Sequence, residues 1–269
     1  MTVTPGKLVV KITGGQVTGT FTPASPTPPT PTPTPTPSRT LLGLWKDGTV
    51  SARSLGVTQD VLEVYGDPPN YATYSGPSSP RVMLATGFLS PGQAQAIASH
   101  CGPGVIWRPA WEFNQGTWFP NWNEASHAPS AWIAAFQSTV SAIRAADPRA
   151  VVIWNPNMGE GNNIKGYTTE QFYPGDAYVD WIGVDAYDFG GYGPNVQATI
   201  NFAAAHGKPW SLPEWGLNGS DDTAYMHTMI GFIKNSPNCA LQCYFSYPGP
   251  PNSDITQFPN CLAAYKAAF

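Results

Sequence analysis

The sequence is short of charge. Lys, Arg, Asp and Glu make up only 11% of its 269 residues, against roughly a quarter in an ordinary soluble domain. With a net charge of −4 it has no basic field with which to hold nucleic acid or acidic lipid. No run of 18 apolar residues occurs, so no membrane-spanning helix is expected. Residues 1–21 lack the continuous apolar core of a secretory signal. An extracellular or virion-associated location would therefore need a leader removed from the chain, or release by another route such as host lysis. The four His and four Cys show no metal-ligand spacing, so neither a metal site nor a cofactor is expected. Cys239, Cys243 and Cys261 cluster late and leave room for one disulfide, with the pairing open. No Gly-rich phosphate loop follows the first apolar run, LLGLWKDGTV, which argues against a doubly wound nucleotide-binding sheet. Gly190, Gly191 and Gly193 in FGGYGPN open no phosphate cradle and read as a cleft rim. Ser211 and Ser246 lack a nucleophile elbow.

Aromatic and proline content is high instead, with ten Trp and 29 Pro. Many aromatic rings and few charges suit a neutral, flat-faced ligand such as a sugar, and equally an aromatic core. The stretch PASPTPPTPTPTPTPS cannot pack a core and favours extended polyproline conformation. Residues 23–39 are thus expected to be a semi-rigid linker. Before it, Leu8–Thr13 and Gln16–Phe21 flank Gly14-Gly15, a hairpin signal. A lone hairpin is not stable in water, so residues 1–22 are expected to attach to a docking partner or to another copy of the chain.

After the linker, residues 40–269 carry eight apolar runs: Leu41–Trp45, Val61–Tyr65, Arg81–Phe88, Gly104–Phe113, Ala150–Asn155, Val179–Tyr187, Lys208–Trp215 and Ala240–Tyr247. Helical stretches are expected at Pro91–His100, Pro129–Ala146, Val196–His206, Thr223–Lys234 and Asn260–Ala268. Buried parallel strands read as continuous apolar runs. Eight of them with interleaved helices predict an α/β fold, a compact (β/α)8 TIM barrel preceded by a short β-hairpin and a Pro/Thr linker.

Glycoside hydrolysis needs two carboxyl groups flanking the scissile bond. Two of the six Glu stand at the C-terminal end of an apolar run: Glu112 in VIWRPAWEF, on the fourth, and Glu214 in WSLPEW, on the seventh. The C-terminal end of a barrel strand points into the mouth where such sites form. Flanking Trp lowers the local dielectric and raises a carboxyl pKa. Arg108 is four residues before Glu112, and that parity puts both on one face, where Arg108 can hold a carboxylate or a sugar oxygen. Asp185 and Tyr187 share a face of the sixth strand, from which Tyr187 can hydrogen-bond Glu214 and keep it ionised. Trp210, Leu212 and Glu214 are expected to share a face of the seventh. Trp111, Trp118, Trp122 and Trp154 are candidate sugar platforms, some of them core instead.

These segments resemble glycoside hydrolase family 26, the β-mannanase family. WRPAWEFNQGTWFPNW is similar to its strand-four motif, roughly Arg-Pro-x-His-Glu-Met-Asn-Gly followed by Trp. VIWNPN resembles its strand five, YVDWIGVDAYD its strand six and KPWSLPEWG its strand-seven nucleophile motif. The resemblance implies that Glu112 is the acid/base and Glu214 the nucleophile. It matches Arg108, Asn114, Trp118 and Tyr187 to residues around them, and Arg108, Trp111, Asn114, Trp118, Trp154, Asp185, Tyr187, Trp215 and Tyr244 are the expected substrate-binding residues. Two positions depart: Trp111 stands where the family has a substrate-contacting His, and CYFSYP offers Tyr244, Phe245 or Tyr247 where it often has a Trp. The implied activity is retaining hydrolysis of a β-linked polysaccharide, most like an endo-β-1,4-mannanase. A β-1,3/1,4-glucanase or xylanase is the runner-up. A carbohydrate-binding structural protein, such as a phage tail or virion component with a glycosidase-like barrel, is a reading of another class.

Overall fold

The structure is a computed structural model that describes residues 6–13, 16–23, 37–46, 55–65, 81–115, 128–159 and 166–269, the first two segments by backbone only. The hairpin and the barrel are separate units. Strands β1 (Gly6–Thr13) and β2 (Gln16–Pro23) pair antiparallel, from Thr13 opposite Gln16 to Gly6 opposite Pro23. Residues 24–36 of the Pro/Thr stretch lie outside the described residues, as do Trp118 and Trp122.

The second unit is a closed parallel barrel. Its strands are β3 (Leu41–Lys46), β4 (Val61–Tyr65), β5 (Arg81–Thr86), β6 (Ile106–Pro109), β7 (Val151–Trp154), β8 (Trp181–Gly183) with β9 (Ala186–Tyr187), β10 (Trp210–Gly216) and β11 (Cys239–Ser246). They follow one another around the sheet in chain order, and β11 pairs with β3 to close it. β8 and β9 both pair with β10 and form one barrel strand in two pieces, which makes eight. This is the (β/α)8 barrel that the apolar runs predict. Described helices are α1 (Pro91–Cys101), α2 (Pro129–Ala146), α3 (Tyr192–Ala205), α4 (Thr223–Asn235) and α5 (Pro259–Ala268). None is long and apolar enough to cross a membrane.

Local chemistry sets the helix starts. Ser90 accepts from the backbone of Gln93 while the Gln93 side chain accepts from the backbone of Ser90, a reciprocal cap ahead of Pro91. Asp222 caps α4 by accepting from Tyr225 N at 2.9 Å. Asp221 reaches across to accept from the first turn of α5, at Cys261 N, 2.9 Å.

The side chains separate into two apolar layers. Between sheet and helices lies the large one, which includes Trp107, Trp132, Phe136, Trp154, Leu212 and Trp215. Val61, Met83, Ile106, Ile153, Trp181, Leu241 and Cys243 form a smaller cluster that plugs the barrel. Above this plug the interior becomes polar, and the functional site begins. All four Cys are free and buried, so the late trio supplies no disulfide.

Candidate active site

β6 is shorter than its apolar run. It ends at Pro109, which has no N–H to extend the ladder, and the chain turns. Ala110 and Glu112 then take left-handed backbone conformations, φ 53° and 51°. A non-glycine residue there costs on the order of 1–3 kcal/mol and persists only where its surroundings hold it. They do: Ala110 N donates to Thr86 O and Glu112 N to Asn155 O, both at 2.7 Å. Glu112 thus sits on a turn rather than a strand, and two-residue parity does not relate it to Arg108. The turn swings its half-buried carboxyl into the cleft, where Asn157 Nδ2 donates to Oε1. Burial, followed by the nearby charge of Glu214, pushes this carboxyl up to about 8.

Glu214 arrives differently. The β10–β11 register shifts between Leu212 and Trp215. Trp210 and Leu212 pack toward the helices, whereas Ser211 and Pro213 lie against the interior position of Gly183. The shift turns Glu214 inward, so it does not share a face with Trp210 and Leu212, correcting the expectation from simple alternation. Glu214 is 4% exposed. Arg108 Nη2 donates to its Oε1 at 2.5 Å and Tyr187 Oη to its Oε2 at 2.8 Å. Burial and the adjacent Glu214 hold the Tyr187 phenol far above its ordinary range, so it stays a donor. One carboxylate oxygen each from Glu112, Asp185 and Glu214 lies within 4.8 Å of the other two.

Several expected substrate contacts are buried structure instead. Arg108 is wholly buried and spends its donors on Asn155, Glu63, Asp185 and Glu214; it holds carboxylates, not a sugar oxygen. Asp185, equally buried, faces Arg108. Asn114 knits two loops, donating to Asn157 O and Gly159 O and accepting from Asn157 N. Trp154 packs between Phe113, Tyr173 and Phe202 and is 3% exposed. It borders a cavity of about 150 Å³ beside α3 whose lining includes neither Glu112 nor Glu214. Trp215 donates to Gln242 and packs on Tyr244. Tyr244 donates to Ser253 O. Both are fully buried, because strand alternation sends them to the helix side while Phe245 faces the mouth.

What lines the cleft, about 410 Å³, is the pair Glu112 and Glu214 with Tyr65, Trp111, Gln115, Asn157, Tyr187, Phe189, Phe245, Tyr247, Pro250 and Pro251. Phe245 stacks on Trp45 at 4.4 Å with planes 5° apart, so its ring is braced. Sequence reasoning missed Glu63, Asn155 and Asn157. For Glu63 a signal existed: Val61, Glu63 and Tyr65 alternate on one face of β4. For Asn157 the signal lay in VIWNPN, whose Asn residues follow the strand end.

Residues 93–220 match the family model "Glycosyl hydrolase family 26". The matched span runs from α1 to just past β10 and contains both glutamates. Over this span, just under half of the chain, it is similar to glycosyl hydrolase family 26. Endoglucanase H of Acetivibrio thermocellus is 27% identical over 184 residues, 61% of this chain and 20% of that protein; the chain thus spans a fifth of this curated relative. The barrel is similar to the catalytic domain of the family 26 endo-β-1,4-mannanase of Bacillus sp. JAMB-750, with a TM-score of 0.60 at 17% identity over 86% of each chain. It is also similar to the Bacillus subtilis mannanase BCman, with a TM-score of 0.53 at 16% identity over 88% of each chain. At such identities the likeness is one of fold.

Proposed function

We propose that this chain is a retaining glycoside hydrolase that cleaves within a neutral β-linked polysaccharide of the mannan type. The observation that carries the reading is the pairing of Glu112 and Glu214. Their nearest carboxylate oxygens lie within 4.8 Å, close to the roughly 5–5.5 Å of retaining pairs and short of the roughly 6.5–9.5 Å that leaves room for an inverting water. Their environments differ as the two roles require. Glu112, pushed up to about 8, holds a proton at neutral pH for the leaving oxygen. Glu214 is held by two donors, Arg108 and Tyr187, which compensate the charge of a carboxylate nucleophile.

In this scheme Glu112 protonates the glycosidic oxygen as Glu214 attacks the anomeric carbon. The C–O bond to the leaving sugar breaks and a glycosyl–Glu214 ester forms. Glu112, now a carboxylate, takes a proton from water; the water oxygen attacks the same carbon and releases Glu214. Apart from the two glutamates, no charged side chain lines the cleft among the described residues, which favours a neutral glycan over a uronate. Trp111, Phe245 and Tyr247 offer apolar ring faces for sugar C–H groups.

A second reading is a β-1,3/1,4-glucanase. It is favoured by Trp111, which stands where the family resemblance has a substrate-contacting His, and by the match to an endoglucanase. A panel of mannan, glucomannan, lichenan and xylan, read by reducing ends and with product anomers followed by NMR, tests both. Release from mannan with the β anomer formed first supports the proposal. Release from lichenan alone moves it to the second reading. An α anomer formed first overturns retention, and silence across the panel from folded protein favours a carbohydrate-binding role.

A further inference from the structure

Beneath the cleft, a fully buried guanidinium is gripped on every nitrogen. Arg108 Nε donates to Asn155 Oδ1 at 2.5 Å. Nη2 is shared between Asp185 Oδ2, 2.7 Å, and Glu214 Oε1, 2.5 Å. Nη1 donates to Glu63 Oε1. Glu63 rises from β4, one level above the apolar plug, and its side chain has no exposed surface. Its second oxygen accepts from Cys243 Sγ at 3.3 Å. The thiol has its place only because Gly43, on the neighbouring strand, lacks a side chain. A Cβ there would lie 2.8 Å from the sulfur and 2.9 Å from Cys243 Cβ. Gly43, Cys243 and Glu63 therefore form one fitted set, and none of them belongs to the segments that resemble family 26.

We propose that Glu63 is a positioning residue: held from behind by Cys243, it fixes the Nη1 edge of Arg108 so that the Nη2 edge is presented to Glu214. This rests on the reading of Glu214 as the nucleophile. The guanidinium is planar and its donors form a rigid fork, so anchoring Nε and Nη1 sets where Nη2 points. Without an acceptor at Nη1, a buried donor would go unpaired at a cost that drives rearrangement. The other carboxylates around the guanidinium are Asp185 and Glu214 themselves. Arg108 would swing toward them and take Glu214 out of line with its target. Glu63 is sealed from the cleft and touches no substrate. Burial, with the charge of Glu214 next, pushes it up to about 8, which limits the negative charge stacked around one cation.

The test compares the full-length wild type with Glu63→Leu, which removes the acceptor, and Glu63→Gln, which keeps one. Two readouts are used: kcat and KM on the polysaccharide cleaved in the panel, and ¹⁵N NMR of the slowly exchanging Arg108 Nη protons. Glu63→Leu is expected to lose about 100-fold in kcat, the scale of a small misplacement at a reacting centre, with KM within about threefold. Its Arg108 signals should merge. Glu63→Gln should recover most of the kcat and the resolved signals. Folded Glu63→Leu with wild-type kcat or unchanged Arg108 signals overturns the proposal. If Glu63→Leu does not fold, Glu63→Gln decides. Signals and kcat both retained, as an acceptor kept at that position predicts, support the grip; loss of either overturns it. If wild type cleaves nothing in the panel, the functional reading fails separately. The Arg108 signals of Glu63→Leu then decide the grip alone: merged signals support it and unchanged signals overturn it.

Discussion

The ends of β6 and β10 each deliver a glutamate to one cleft, but by opposite means. At β6 the strand stops early and a strained turn carries Glu112 into the cleft, leaving it half-buried with Asn157 as its side-chain hydrogen-bond donor. At β10 the strand continues through a register shift and keeps Glu214 buried between Arg108 and Tyr187. Burial with little compensation for its charge pushes the Glu112 carboxyl up to about 8, whereas Glu214 has a cation and a phenol donating to its two oxygens. The same side chain is thereby prepared for two jobs by backbone placement alone.

The largest effect is expected at the buried end. Glu214→Ala should lower kcat by on the order of 10⁵-fold, as loss of a nucleophile does. Added azide should restore turnover on an activated aryl glycoside and give the inverted, α-glycosyl azide. At the β6 end, Glu112→Ala should cost about 10²–10⁴-fold on polysaccharide and much less on an aryl glycoside whose leaving group needs no proton. Azide there should give the β product. Exchange of the two azide products would break the comparison, since the roles would then be reversed.

Next comes the support beneath Glu214. Arg108→Leu leaves Glu63, Asp185 and Glu214 without their shared cation. Removing one partner of a buried ion pair costs about 3–5 kcal/mol, which should appear as a melting temperature lower by roughly 10 °C. The corresponding change beside Glu112, Asn157→Ala, should leave melting within about 3 °C, because it removes one partly exposed hydrogen bond. Similar losses in the two variants, measured by calorimetry, would mean that the ends of β6 and β10 are equally supported.

What the sequence made legible follows the same division. Barrel strands were readable because buried parallel strands are continuous apolar runs, and Glu112 and Glu214 stood out as charges within two of them. Parity then failed at both. Across residues 110–112 the chain has left the strand, and between Leu212 and Trp215 a register shift reverses the alternation. Neither device has a composition signature, as Ala110 and Glu112 are ordinary residues in an uncommon conformation. Of the three aromatic residues that CYFSYP offers, alternation sends Tyr244 against the helices and leaves Phe245 and Tyr247 to the cleft; Trp215, next to Glu214, also faces the helices. For Glu63 the alternation of β4 gave a signal, but not what it grips, because Arg108, Cys243 and Gly43 meet it only when the barrel closes.

The smallest expected effect is the most pointed. In the proposed mechanism Glu112 acts in its protonated form, so activity should fall as pH rises through about 8, the value to which burial and Glu214 push it. Stability should follow the same group with a definite sign. Its folded value lies above the ordinary 4.5, so the folded state holds this proton where the unfolded chain has released it. Stability is then unaffected below about 4.5, falls as pH rises between the two values and stays reduced above about 8. Glu112→Gln should therefore melt higher than wild type at pH 9 by more than at pH 5. Asn157 opposes the upward push, because its Nδ2–H donates to the Glu112 carboxylate and favours the charged form. Asn157→Ala should consequently move the alkaline limb of kcat/KM upward, by no more than about one pH unit for one hydrogen bond. A downward move would mean that Asn157 favours the acid form, and the contrast between a lightly compensated Glu112 and a doubly held Glu214 would lose its basis.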